Sequence, residues 1–201
     1  MSAQPLILAA GAGRRMGGPK ALARLPSGET FLGAIVRACV GAGLAAPWVV
    51  VGARADEVMA AHRGLGVRWR VNPAWETDDM FGSLRWGLAA LSPEDDALVW
   101  PVDCPRVPAE VVCALVAARA RSGEAHRAWM PSVEGRGGHP VLLAAALWRG
   151  CLTPRGEGGQ EGQEAQHLRA LLDQARSQVA RVEVAAAEVL ENWNSPLPQL
   201  P

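Results

Sequence analysis

The sequence predicts an α/β fold of three layers, a mostly parallel sheet with helices on both faces. Three observations lead there. Short apolar runs alternate with segments of helical period, a glycine-rich stretch follows the first run at once, and 201 residues at 49% hydrophobic and 20% charged suffice for one sizeable core. Strands alternating with helices are joined by right-handed crossovers, which cover the sheet on both sides. No internal repeat or composition break divides the chain, so residues 1–201 read as a single domain.

The chain opens with an apolar strand, Pro5 to Ala9, and the glycine-rich loop Ala10 to Lys20. Apolar residues at 32, 35, 36, 39 and 40 make Phe31 to Gly43 a helix, with Gly41 and Gly43 as its stop. Trp48 to Val51 is a buried strand, Ala55 to His62 a helix, and Val67 to Val71 extended. Apolar positions 81, 84, 88 and 91 give a helix over Phe81 to Leu91. Ala97 to Val102 is the next strand, ended by Pro101 and Pro105 with Asp103 at its close, and a helix over Val107 to Ser122 follows. Ala128 to Val133 and His139 to Leu143 are strands around a turn at Glu134 to Gly138. The low-complexity stretch GEGGQEGQ at 156–163 reads as a mobile loop before a helix from Ala165 to Gln178. Val179 to Val184 is the last strand, and the tail at 194–201 is irregular and proline-punctuated. Ligands of such sheets collect at the carboxyl ends of strands, so the loops after Ala9, Val71 and Val102 are expected to converge.

Composition narrows the function. Lys plus Arg equals Asp plus Glu at 20 each, so nothing in the whole-chain charge attracts nucleic acid or an anionic membrane, and any anion site is local. No apolar run approaches the ~20 residues that span a bilayer, and no basic flank precedes the first apolar segment, so the expected location is the cytoplasm. Cys39, Cys104, Cys113 and Cys151 lack the spacing of a zinc site or a redox pair and are expected as free thiols. Eight Trp against two Phe and no Tyr could supply a stacking surface, but most of the tryptophans lie in or beside apolar segments and are expected to fill core.

The stretch LAAGAGRRMGGPK, Leu8 to Lys20, has the composition of a triphosphate cradle. Small residues let backbone N–H groups approach phosphate oxygens, glycine permits the dihedrals such a nest needs, and Arg14, Arg15 and Lys20 neutralise charge. A dinucleotide fingerprint would need glycine at position 16, which is Met16, and the GxxxxGK[ST] pattern is absent.

Leu8 to Lys20 resembles the signature of the MobA/MocA-like nucleotidyltransferase family, the molybdenum cofactor cytidylyltransferase and guanylyltransferase type. Later motifs agree in order: Asn72-Pro73 with Trp75, Met80, Ser83-Leu84 and Gly87; Pro101-Val-Asp103-Cys-Pro105; and Gly138-His139-Pro140-Val141. The resemblance spans about residues 4 to 145 and implies a Rossmann-like fold of the nucleotide-diphospho-sugar transferase type. Two segments depart from the pattern. Asp78-Asp79 precede Met80 where the family has glycine, and Asn192-Trp193-Asn194-Ser195-Pro196 stands where many relatives carry Asp-x-Asp-Thr-Pro.

The resemblance implies transfer of a nucleotide from an NTP to a phosphorylated acceptor such as molybdopterin, with pyrophosphate leaving and an acceptor molybdoenzyme as a possible receiver of the product. Two polyanions must meet, so catalysis is mainly positioning and neutralisation. Asp103 is then the metal ligand for Mg²⁺, with Mn²⁺ as the substitute, and Asn194 a second one; a helix N-cap ahead of Val107 is the alternative reading of Asp103. Lys20 is expected at the α-phosphate and Arg15 at the β and γ phosphates, beside backbone from Gly11 and Gly13. The backbone of Leu8, Ala9 and Ala10 reads the base, helped by Ser83 and by Asn72, which is equally a turn former before Pro73. His139 orients the acceptor or serves structure. Asp78 and Asp79 either ligate metal or solvate their loop, and a Cys104 nucleophile with His139 as base lacks an oxyanion site. Within the family it resembles, LAAG with Pro19-Lys20 is more typical of cytidylyltransferases, so CTP is the first expectation and GTP the next. The alternatives are a sugar- or polyol-phosphate acceptor, or a carrier that binds nucleotide or cofactor without turnover.

Overall fold

The computed structural model describes residues 2–152 and 168–194. The expected loop at 156–163, the start of the helix expected from Ala165, and the tail beyond Asn194 lie outside the described residues.

Strand β1, Ala3–Ala9, lies between two parallel neighbours, β2 (Trp48–Val51) and β4 (Asp96–Pro101). It is buried from Gln4 onward because its run LILA is apolar on both faces, as a central parallel strand requires. Helix α1 (Phe31–Gly41) leads to β2, α2 (Ala55–Ala61) to β3 (Arg68–Val71), and α3 (Met80–Leu88) to β4. With β5 (Ala128–Val133), β6 (Arg136–Gly137) and β7 (Val141–Leu143), the strand order is β3-β2-β1-β4-β7-β5-β6, and β8 (Val179–Glu183) lies parallel to β5. The chain thus builds outward from β1 in one direction, then returns to its other side at β4. That reversal opens a crevice at the carboxyl ends of β1 and β4.

After β4 come α4 (Ala109–Ser122), β5 (Ala128–Val133), β6 (Arg136–Gly137), β7 (Val141–Leu143), α5 (Ala145–Trp148) and α6 (Leu168–Gln174). Here the sheet is antiparallel, β7 pairing with both β4 and β5 and β6 with β5. The expected turn at Glu134 to Gly138 therefore contains a two-residue hairpin strand. Glu134 at φ 50° and Gly135 at φ 75° supply the left-handed pair that a tight hairpin needs. The strand expected from His139 begins only at Val141.

Two apolar layers flank the sheet. One joins Ile7 and Ala9 of β1 to Phe31, Leu32, Ile35, Val111 and Leu115 of α1 and α4; the other joins Leu6, Leu8 and Ala10 to Leu84, Leu88, Trp148 and Leu171. Side chains of a strand alternate between faces, so neighbouring residues of β1 belong to different layers. Trp100, Trp129 and Trp148 are fully buried core, as composition suggests. Among the described residues no helix is long and apolar enough to cross a membrane.

Candidate active site

A cavity of about 400 Å³ occupies the crevice. Its first wall is the loop after β1. The Ala10 carbonyl accepts from Ala53 N–H at 3.0 Å, tying the loop to the end of β2. Gly13, at φ 60°, turns the chain back so that its carbonyl accepts from Met16 and Gly18 N–H at 2.8 and 3.3 Å. A Cβ on Gly13 would stand 1.9 Å from the Gly18 carbonyl oxygen, so this turn admits glycine alone. Beyond it the exposed Arg14 and Arg15 and the half-buried Lys20 ride on short 3₁₀ turns, Arg14–Met16 and Lys20–Leu22.

The second wall is the turn after β4. Val102 N–H donates to the Leu8 carbonyl at 3.1 Å, extending the β1–β4 pairing, and Cys104 N–H closes back on Pro101 at 3.1 Å. The Trp100 indole N–H donates to the Cys104 carbonyl at 2.9 Å and locks the turn from within the core. Asp103 is left facing the cavity. Lys20 Nζ lies 2.8 Å from Asp103 Oδ2 and also donates to Asn194 Oδ1. Three segments distant in sequence thus meet at one ammonium group.

Leu8, Ala10, Gly11 and Gly13 line the cavity, as do Arg15, Lys20, Ser83, Asp103 and Asn194. Ala9 does not; it is the residue of β1 facing the opposite layer. The carbonyls of Leu8 and Ala10 each keep one lone pair beyond the bonds to Val102 and Ala53.

Asn72 is fully buried behind the wall rather than on it. Its amide donates to Asp78 Oδ2 at 3.0 Å and to Ser83 Oγ at 3.2 Å, while its Oδ1 accepts from Ala74 N–H at 2.9 Å. Both amide hydrogens are engaged, so the expected base-reading amide is instead an Asx turn that braces the loop. Asn72→Ala is expected to destabilise the protein by about 1–3 kcal/mol, the cost of stranding these partners, read from urea unfolding. A change under about 0.5 kcal/mol would contradict the bracing role.

His139 is likewise absent from the cavity lining. Its backbone N–H donates to Val189 at 2.9 Å, and its Nδ1 is buried with no partner among the described residues. Burial lowers its pKa, the Asp103 carboxylate opposing in part, which favours the neutral ring. Burial also raises the Cys104 thiol, and the Asp103 charge raises it further. The thiol donates to Asn192 Oδ1 at 3.1 Å, which ties the turn to that segment.

Trp75 and Met80 of the second motif, with Asp78 and Asp79, also line the wall. Asp79 caps α3, its Oδ1 accepting from Gly82 N–H at 2.8 Å, which is why this helix begins one residue before the expected Phe81. The signal was present in the sequence: an Asp just before a helical stripe. Among the described residues no group of three or more His, Cys, Asp or Glu could hold a metal. Asp103 Oδ2 and Asn194 Oδ1 nevertheless converge on one cation, and such a hard oxygen pair suits a divalent ion that draws its other ligands from phosphate and water.

A family model for the MobA-like NTP transferase domain matches residues 5–179. The chain belongs to that family. This MobA-like domain is accordingly a nucleotidyltransferase, and it is similar in structure to a nucleotidyl transferase from Methanothermobacter, at 25% identity and TM-score 0.72, over 96% of this chain and 92% of that one. Two further likenesses are of fold alone. One is to Rv0371c of Mycobacterium tuberculosis, solved as a complex with manganese, at 22% identity and TM-score 0.68 over 92% and 89% of the two chains. The other is to 2-C-methyl-D-erythritol 4-phosphate cytidylyltransferase from Thermus thermophilus, at 24% identity and TM-score 0.68 over 95% and 92%. No curated protein matches the sequence.

Proposed function

We propose that this MobA-like domain transfers CMP from CTP to a phosphorylated acceptor, molybdopterin first, with GMP from GTP as the second candidate. One observation carries the reading: Lys20 Nζ bridges Asp103 Oδ2 and Asn194 Oδ1 at the cavity into which the Gly13 turn opens. A cation, two oxygen donors and a nest of small residues are the parts that a polyphosphate with a divalent metal requires.

In the reaction an acceptor phosphate oxygen bonds to the α-phosphorus as the bond from that phosphorus to the bridging oxygen breaks, and pyrophosphate departs. Asp103 and Asn194 would hold Mg²⁺ or Mn²⁺, which supplies neutralisation between the two polyanions. Lys20 then sits beside that position, able to meet charge on the α-phosphate. Arg15, with Arg14 next to it, faces the β and γ phosphates, and backbone around Gly11 and Gly13 holds their oxygens. The remaining acceptor capacity of Leu8 and Ala10 and the hydroxyl of Ser83 serve base and ribose, while Ala9 and Asn72 act from behind the wall. The LAAG and Pro19-Lys20 pattern supports CTP, whereas Asn192-Trp193-Asn194 is similar to an Asn-x-Asn version found in guanylyl-transferring members and supports GTP. His139, off the cavity and neutral, holds the segment at Val189 through its backbone N–H rather than touching the acceptor.

A panel of NTPs with Mg²⁺, read by heat stabilisation, tests the base. A ligand at about 100 times its Kd raises stability by about 2.7 kcal/mol, and CTP should give the largest shift. A larger shift with GTP would replace CTP in the proposal, and no shift with any NTP would defeat it. Pyrophosphate release on adding molybdopterin tests transfer, against a sugar or polyol phosphate as competing acceptor. Binding without release under every acceptor would leave a carrier of nucleotide.

A further inference from the structure

The segment Glu191 to Asn194 runs without regular secondary structure past the Asp103 turn, and its side chains alternate in what they touch. Asn192 accepts from the Cys104 thiol at 3.1 Å and Asn194 from Lys20, so the even positions face the turn and the cavity. Glu191 and Trp193 face away. Glu191 pairs with Arg106 at 3.2 Å, and the Trp193 indole N–H donates to Glu191 Oε2 at 3.2 Å. The indole ring meets Phe31 edge-on, with centroids 5.7 Å apart at 89°, and the Arg106 guanidinium lies 5.9 Å from its centre. Phe31 is fully buried as the first residue of α1, so it is an immovable seat. Between the two sets, the Trp193 backbone N–H donates to the Asp103 carbonyl at 2.8 Å.

We infer that Trp193 is a positioning residue that sets the register of this strap and thereby aims Asn194 at the cation position. A side-chain period of two makes register decisive, since a slip of one residue would exchange the faces and turn Asn194 away from Lys20. Polar bonds alone leave a slip of two residues open, because Asn192 and Asn194 offer identical amides on one face, and such a slip would carry Asn194 from Lys20 to the Cys104 thiol. Trp193 is the aromatic side chain of the segment, and the ring that receives it among the described residues is Phe31. The same backbone bond ties Asp103 to the strap, so Trp193 reaches both oxygen donors through structure rather than by contact with substrate.

The inference rests on Asp103 and Asn194 holding the metal, and the test separates the two. Mn²⁺ binding in the presence of CTP is followed by electron paramagnetic resonance, beside the heat shift given by CTP without metal. Trp193→Ala is expected to weaken Mn²⁺ binding about tenfold or more, a typical loss when a ligand's support is removed, while the metal-free shift is kept. Trp193→Phe, which keeps an aromatic ring on Phe31, is expected to restore most of the affinity. Wild-type protein that binds no Mn²⁺ would sink the metal assignment itself. Wild-type binding with an unchanged Trp193→Ala, or with a Trp193→Ala that loses metal-free CTP binding in equal measure, would overturn the role of Trp193 alone. If Trp193→Ala does not fold, Arg106→Ala reads the same strap from the solvent side. A several-fold loss of Mn²⁺ affinity is then expected, and none would overturn the inference.

Discussion

Asp103→Ala is expected to lower turnover by about 10²-fold or more, the usual loss when a group stabilising transition-state charge is removed. The variant takes away one of the two oxygens that meet at Lys20 and leaves the other, Asn194, to hold a divalent ion unaided. It leaves the turn intact, because the bonds that shape it do not use the Asp103 side chain: Cys104 N–H to Pro101, Trp193 N–H to the Asp103 carbonyl, and the Trp100 indole to the Cys104 carbonyl. Melting temperature should therefore change little while pyrophosphate release collapses. Unchanged turnover in a folded variant would remove Asp103 from the mechanism.

Lys20→Ala is expected to give a loss of similar size, about 10²-fold, by a different route. Its ammonium is partly exposed, and an ion pair in contact with solvent contributes little to folding, so the effect should fall on transfer. Removing it also frees Asp103 Oδ2 and Asn194 Oδ1 from their present partner. Mn²⁺ affinity should hold or rise even as turnover falls, which distinguishes Lys20→Ala from Asp103→Ala in a single binding measurement. Equal losses of melting temperature and activity would make Lys20 a structural cation. Reduced Mn²⁺ affinity would count against the shared position of ammonium and metal.

Much of the fold was legible in the residues. The period of two or of 3.6 in the apolar pattern is a local property, and β1, α1, β2 and α2 fall where that pattern places them to within a residue or two. Boundaries moved where a particular contact intervened: Asp79 capped α3 earlier, and Glu134 with Gly135 folded the expected turn into a hairpin. The family was legible too, since its motifs are contiguous strings. The antiparallel half of the sheet was not, because the direction of a strand depends on where its partner lies and not on its own pattern.

By itself, then, the sequence determined the alternation of elements, the glycine-rich loop and the family. Tertiary structure decided which of the nominated residues share one cavity. It put Leu8 and Ala10 on the wall and Ala9 behind it, spent the Asn72 amide on Asp78 and Ser83, and set His139 aside. It also brought Asn194 to Lys20 and set the Trp193 indole on Phe31, contacts for which no local pattern exists. The physical reason is one of range. Periodicity and capping act over a few residues and can be read along a chain, whereas the aim of a polar side chain is set by whichever distant segment packs against it.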